Sequence, residues 1–174
     1  MTRIHITGAS GSGTSTLGRA LAESLGAPCF DADDYYWLPT DPPFTLKREH
    51  SARLSLALGA LSGHDSAILA GSITGWGAEL EDAFDLVVFL YLDASIHVER
   101  LRMREIAELG HADPAFLEWA ATYDTGLASG RSLARHRAWL AERRCPVLEL
   151  HGDQTVADRV ATVIAACRGA NPSG

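Results

Sequence analysis

Lysine is nearly missing from this chain: its 174 residues hold one, Lys47, against 14 arginines. Cysteine is almost as scarce. Cys29, Cys145 and Cys167 show no C-x-x-C pair and no ligand-like spacing with the seven histidines, so they read as reduced thiols, and no Cys/His metal site is expected. No apolar run approaches the roughly 20 residues that cross a bilayer. The opening MTRIHITG enters a strand pattern without a secretory charged and apolar region, so a cytoplasmic protein with no membrane partner is expected. Positive charge is in deficit too. A net charge of −7 excludes a general surface for nucleic-acid polymers. Internal repeats are absent.

What is present fits one domain, with 47% hydrophobic and 21% charged residues. Eight of the 14 arginines fall between Arg100 and Arg144, and a local cation cluster in an acidic chain points to a small anionic ligand. Arg3 to Thr7 alternates β-branched residues and stops at glycine, as a first strand would. TSTLGRALAESLG has helical spacing and a glycine stop. PCF is a short strand, HSARLSLALGALSG a helix and SAILAG a buried strand. FDLVVFLYLD is a strand covered on both faces. A charged helix spans Ser95 to about Leu109, with further helical stretches over Pro114 to Leu127 and Ser132 to Arg144. CPVLEL reads as the last strand and ADRVATVIAAC as the last helix. Alternating strands and helices give an α/β fold with a parallel sheet of about five strands, and ligands collect at the strands' carboxyl ends.

The chemistry starts at GASGSGTST. Gly8, Gly13 and Ser15 stand in the register of G-x-x-x-x-G-K-[ST], with Thr14 where lysine belongs. Between a strand and a helix, such a loop turns successive N–H groups inward and adds the helix's positive end, so phosphate binds without side chains. Gly8, Ala9, Ser10, Gly11, Ser12, Gly13, Thr14, Ser15 and Thr16 form this cradle, and Ser15 offers a hydroxyl to Mg²⁺. The missing ammonium removes a charge-assisted bond of roughly 1.5–3 kcal/mol from binding. Losing such a donor costs on the order of 10²–10³ in phosphoryl transfer. A dinucleotide fingerprint is the rival reading, since Asp31 lies where a ribose acid would. It fails at Thr16, which occupies the third glycine's place.

With FDADD after the second strand and VERLRMR after the fourth, the chain resembles small P-loop kinases of the adenylate kinase and shikimate kinase group over nearly its full length. The resemblance implies a three-layer P-loop NTPase fold with a helical lid, and ATP and Mg²⁺ as cofactors. It implies one domain over 1–168, with an acceptor segment at about 31–63, a lid at about 105–137 and a disordered tail at 169–174. FDADDYYW looks like the D-x-D of shikimate kinases, placing Asp31 near the metal and Asp33 near the acceptor hydroxyl, with a helix cap at Asp33 or Asp34 as the plainer reading. HVERLRMRE is similar to the adenylate kinase segment whose paired arginines meet adenine and phosphates, implying Arg100 and Arg104, which share a helix face. Arg102 points elsewhere. GRSLARHR resembles the second group of lid arginines, Arg131, Arg135 and Arg137, while LELHGDQ resembles the base-contacting turn, with His151 and Gly152 bordering adenine. One further departure stands beside Thr14: Ala70, Gly71 and Ser72 replace the Asp-Gly of nucleotide monophosphate kinases, so the metal-side carboxylate falls to Asp31 or Asp33 or is absent.

On the acceptor side, Tyr35, Tyr36 and Trp37 precede a loop stiffened by Pro39, Pro42 and Pro43, and Lys47, Arg48 and Arg53 open the next helix as anion ligands. GSITGWG adds Gly71, Ser72 and Trp76, the last either facing a ligand or anchoring the loop. The expected activity is transfer of the γ-phosphoryl group of ATP to a small acceptor, a nucleotide or a hydroxylated metabolite. Asp31, Asp33, Arg104, Arg131 and Arg135 are the expected catalytic residues. A nucleotide-binding module without turnover and a dinucleotide oxidoreductase are the alternatives, and the oligomeric state is left open.

Overall fold

The computed structural model describes residues 2–126 and 131–169. Four residues of the expected lid, 127–130, and the expected tail beyond 169 lie outside the described residues. Five parallel strands form one sheet in the order β2-β3-β1-β4-β5. They are β1 (Arg3–Gly8), β2 (Cys29–Asp31), β3 (Ala67–Ala70), β4 (Leu86–Tyr91) and β5 (Val147–His151). Central β1 aligns Ile4 with Ile68 on one side and with Leu86 on the other.

The eight α-helices among the described residues are α1 (Thr14–Leu25), α2 (Ala32–Tyr36), α3 (His50–Ser62), α4 (Ala78–Glu81), α5 (Ala94–Leu109), α6 (Pro114–Ala121), α7 (Leu133–Ala141) and α8 (Val156–Gly169). Period-2 alternation sends Ile4 and Ile6 to a core shared with Leu17, Leu21 and Val163 of α1 and α8. Leu69, Val87 and Phe89 face the other core, beside Leu61 and Trp139 of α3 and α7. With both faces covered, every residue of β3 is buried, and each fully buried Leu or Ile there contributes about 1.5–3 kcal/mol. No helix among the described residues is long and apolar enough to cross a membrane.

Four segments differ from the sequence reading. The helix expected over 114–127 stops at Ala121, because the Thr122 hydroxyl donates to the Trp119 carbonyl (2.7 Å) and competes with the backbone; a 3-10 turn, Tyr123–Thr125, follows. Short helices α2 and α4 were not expected. The carboxylate that caps α2 is Asp31, which accepts from Asp33 N at 3.0 Å, so the capping role falls to Asp31 rather than to Asp33 or Asp34. Gly169, expected to open the tail, is the last residue of α8.

Two histidines sit in the core beneath the sheet. His5 Nδ1 lies 3.0 Å from the Leu69 carbonyl, and burial lowers the ring's pKa to about 4, with Arg143 adding to the effect. His136 Nδ1 meets the Tyr123 hydroxyl at 2.6 Å, and burial followed by the charge of Arg131 lowers it to about 3. Both rings are therefore neutral in the fold at pH 7. Below about 6.5 the unfolded chain takes up protons that the native state refuses, so stability is full above that pH and is lost as pH falls toward the folded values. Urea unfolding should show stability falling by a few kcal/mol, order of magnitude, between pH 7 and 4.5. His5→Gln should flatten that slope; an unchanged slope would remove His5 as its source.

Candidate functional site: the β1–α1 loop and its rim

The loop 8–13 leaves the end of central β1 and enters α1 under tight steric control. A Cβ on Gly8 would lie 2.5 Å from the Leu90 carbonyl, and one on Gly11 2.4 Å from the His97 carbonyl. Gly11 and Gly13 have φ of +80 and +96, the left-handed region that glycine enters freely. Gly13 caps α1 without a side-chain bond, so the helix's first N–H groups are left to a ligand. The loop expected from the sequence thus lies between β1 and α1, as a phosphate cradle requires.

On the rim, the Ser15 hydroxyl donates to Asp31 Oδ2 at 2.6 Å, while Asp31 Oδ1 holds the start of α2. This hydroxyl–carboxylate pair suits Mg²⁺, a hard ion that takes one or two protein oxygens and completes its shell with water and phosphate. No cluster of three or more His, Cys, Asp or Glu able to hold a metal occurs among the described residues. Two residues on, Asp33 is crowded by protein and by Asp31, both of which raise its pKa, while Arg131 and Arg104 pull it down.

Arg131 bridges the two halves. Its Nη1 donates to the Ser10 hydroxyl of the loop (3.1 Å), and Asp33 and Asp31 act on its charge. Arg135 and Arg137 project from α7 as exposed side chains. Arg100 pairs with Asp153 beside the turn of His151 and Gly152, on the edge expected to border a base. Arg102 is tied to Glu99 one turn away, as its different face implies.

The acceptor-side residues divide. Arg53 lies over the rings of Tyr36 (4.8 Å) and Trp76 (5.3 Å), and no carboxylate among the described residues pairs with it. Lys47 Nζ is 5.8 Å from the Tyr36 ring. Trp37 pairs with Lys47 across a hairpin closed by Leu38 N to Leu46 O (2.8 Å) and Arg48 N to Tyr36 O (2.7 Å). Arg48 is occupied by the Tyr35 and Trp37 carbonyls, so it and Lys47 belong to that hairpin and precede α3 rather than opening it as expected. Trp76 is 3% exposed, so its ring anchors the loop and supports Arg53 from below. Gly71 packs its α-carbon onto Ala32, where a Cβ would come within 2.8 Å.

Sequence reasoning missed two residues. Glu81 is buried and accepts from Trp76 N (2.9 Å), Gly77 N (3.2 Å) and Trp139 Nε1 (2.6 Å), with Arg143 at 3.4 Å, so it fastens the Gly71–Gly77 loop to α7. Arg159 of α8 reaches the loop's underside, donating to the Ser12 carbonyl (3.0 Å) and the Gly152 carbonyl (2.9 Å). Its signal was legible: one charged residue in register with the apolar stripe of Val156, Val160 and Val163.

The fold is the α/β, P-loop kinase-like one with strand order 2-3-1-4-5. Residues 4–110 match the family described as AAA domain, and the chain belongs to that family. It is 43% identical over 171 residues to the uncharacterized protein YqaC of Bacillus subtilis (strain 168), covering 92% of this chain and 94% of that one. It is 33% identical over 113 residues to a shikimate kinase of Halorhodospira halophila, covering 58% and 62%. The fold also matches a shikimate kinase from Acinetobacter baumannii in complex with shikimate, at TM-score 0.62, 17% identity and coverage of 99% and 96%. A gluconokinase from Sinorhizobium meliloti matches at TM-score 0.61 and 21% identity, with coverage of 98% and 94%. The strand order 2-3-1-4-5 departs from the 3-2-1-4-5-6 of dinucleotide folds, so the oxidoreductase alternative is set aside.

The loop's packing makes a specific contrast. Gly26 has φ +61 with nothing within 4 Å of an added Cβ, so Gly26→Ala should cost only about 1 kcal/mol of backbone strain. Gly11→Ala adds a clash with the His97 carbonyl and should cost about 3 kcal/mol or more, and should abolish ADP binding. Urea unfolding and calorimetric titration compare them; equal costs would mean the loop yields.

Proposed function

We propose that this protein binds MgATP on the loop Gly8–Thr16 and transfers its γ-phosphoryl group to a hydroxyl of a small anionic acceptor. The observation that supports this reading is Arg131, a cation bonded to the phosphate loop at Ser10 and acted on by the charge of Asp33, although Thr14 supplies none. Loop amides hold the phosphates. Ser15 and Asp31 would hold Mg²⁺, which supplies positive charge to the phosphate oxygens. Asp33 accepts the acceptor's hydroxyl proton, and its raised pKa suits a base. Arg131 stabilises the charge that develops on the transferring group, with Arg104, whose charge acts on Asp33, as the second cation. Arg100, His151 and Gly152 border the base.

The acceptor's negative charge follows from Arg53. A guanidinium resting on two aromatic faces without a carboxylate partner is poised for a carboxylate or phosphate. A structural neighbour solved with shikimate, a hydroxylated carboxylic acid, supports the same acceptor class. The segment from Asp31 to Gly63 forms the acceptor side, and the segment from about 105 to 137 the lid that delivers Arg131.

An acceptor screen over hydroxylated acids, sugars and nucleoside monophosphates, read by ADP release, tests the reading. Turnover with an anionic hydroxyl acceptor is expected. Arg131→Ala should lower kcat by about 10²–10³ with little change in the Kd of ATP. Thr14→Lys should tighten ATP binding and leave turnover unimproved, because a second cation competes with Arg131 for the same oxygens. If Thr14→Lys instead raises turnover by orders of magnitude, no substitute cation operates and the protein is a nucleotide-binding module.

A further inference from the structure

Arg159 is an unusual thing to find beneath a phosphate loop. It comes from the last helix, is 3% exposed, and bonds two backbone carbonyls, one from the loop and one from the turn after β5. Among the described residues no carboxylate lies within salt-bridge distance of it, and its Nε has no hydrogen-bond partner. The formal charges that act on it are Arg100, which repels it, and Asp153, which is already engaged by Arg100. Burial disfavours its charged form more than Asp153 restores it. A buried cation without a counter-ion is costly, and a clamp between two carbonyls needs only neutral donors. The full charge is explained if an anion settles close by.

The geometry says where. A Cβ on Gly13 would lie 3.3 Å from Arg159 Nη1, so the guanidinium touches the loop's backbone from outside at the residue before Thr14. Nη1 donates to the Ser12 carbonyl, and the N–H of that same peptide group belongs to Gly13, within the stretch that faces a phosphate. A charged donor on a peptide oxygen polarises the peptide and strengthens its N–H as a donor on the opposite side.

On the reading that this loop holds a nucleotide's phosphates, we propose that Arg159 is a positioning residue that replaces the ground-state share of the missing lysine, acting on the phosphates through the Ser12–Gly13 peptide. A lysine at position 14 would both hold the nucleotide and follow the transferring group. Here the two tasks are divided. Arg159 is fixed below the loop and serves binding, while Arg131 serves the transition state from above.

Calorimetric titration with ADP, tripolyphosphate and adenosine separates the possibilities. Arg159→Gln keeps donors for the carbonyls and removes the charge; it should weaken ADP and tripolyphosphate roughly ten- to hundredfold and leave adenosine unchanged. Thr14→Lys in the Arg159→Gln background should restore most of the loss, which a purely mechanical clamp would not allow. Should Arg159→Gln fail to fold, Arg159→Lys keeps the charge and is expected to retain tripolyphosphate binding with a lowered melting temperature. Unchanged phosphate affinity in Arg159→Gln, a parallel loss of adenosine without rescue by lysine, or loss of tripolyphosphate binding in folded Arg159→Lys would each overturn the proposal. Failure of the unaltered protein to bind either ADP or tripolyphosphate would overturn the loop reading itself.

Discussion

The close approach of two carbonyls to the β1–α1 turn governs the rest of the site. With Leu90 O and His97 O at 2.5 and 2.4 Å from where side chains would begin on Gly8 and Gly11, the loop has no room to relax and its N–H groups keep one direction. Those carbonyls belong to the end of β4 and the first turns of α5. The same contact that fixes the loop therefore fixes the helix carrying Arg100 and Arg104, and a rigid cradle needs no side chain of its own to stay open.

Rigidity settles shape but not charge. An ordinary loop of this kind keeps its cation on the strand-to-helix turn, where backbone and ammonium move as one unit. In this chain the cations arrive from segments far away in sequence, Arg131 at the start of α7 and Arg159 on α8. A guanidinium is well suited to such remote service, since it stays charged under burial and spans two oxygens at once. On the proposed reading, the near absence of lysine and the clustering of arginine are parts of one arrangement.

The fold was largely legible because each strand and each long helix carries its own period. Ile4 and Ile6 alternate with His5 and Thr7, and Leu17 and Leu21 repeat along α1. What escaped was short: α2 and α4 span five and four residues, too few for a period to show. The loop was legible residue by residue, because it is one contiguous stretch. The contact of Asp31 with Ser15 joins two residues that the sequence could only name separately. Roles that depend on distant partners were not legible. Trp76 and Arg48 carry side chains suited to ligands, yet one is buried under Arg53 and the other holds the Tyr35 and Trp37 carbonyls. Glu81 gave no signal at all, since nothing in AELED says that four donors converge on one carboxylate.

The hairpin around residues 37–47 stands apart from that buried charge. It is fastened by a pair of backbone bonds and by Arg48, and its tip exposes Phe44 at 60% and Leu46 at 56%. The Gly71–Gly77 loop, by contrast, shares Glu81 with α7, so neither of those segments changes length without disturbing the other. Of these two segments, one is tied to a buried carboxylate and the other is held by its own backbone and by Arg48. A change of length in the hairpin is therefore absorbed where it occurs, whereas one in the Gly71–Gly77 loop is felt at α7.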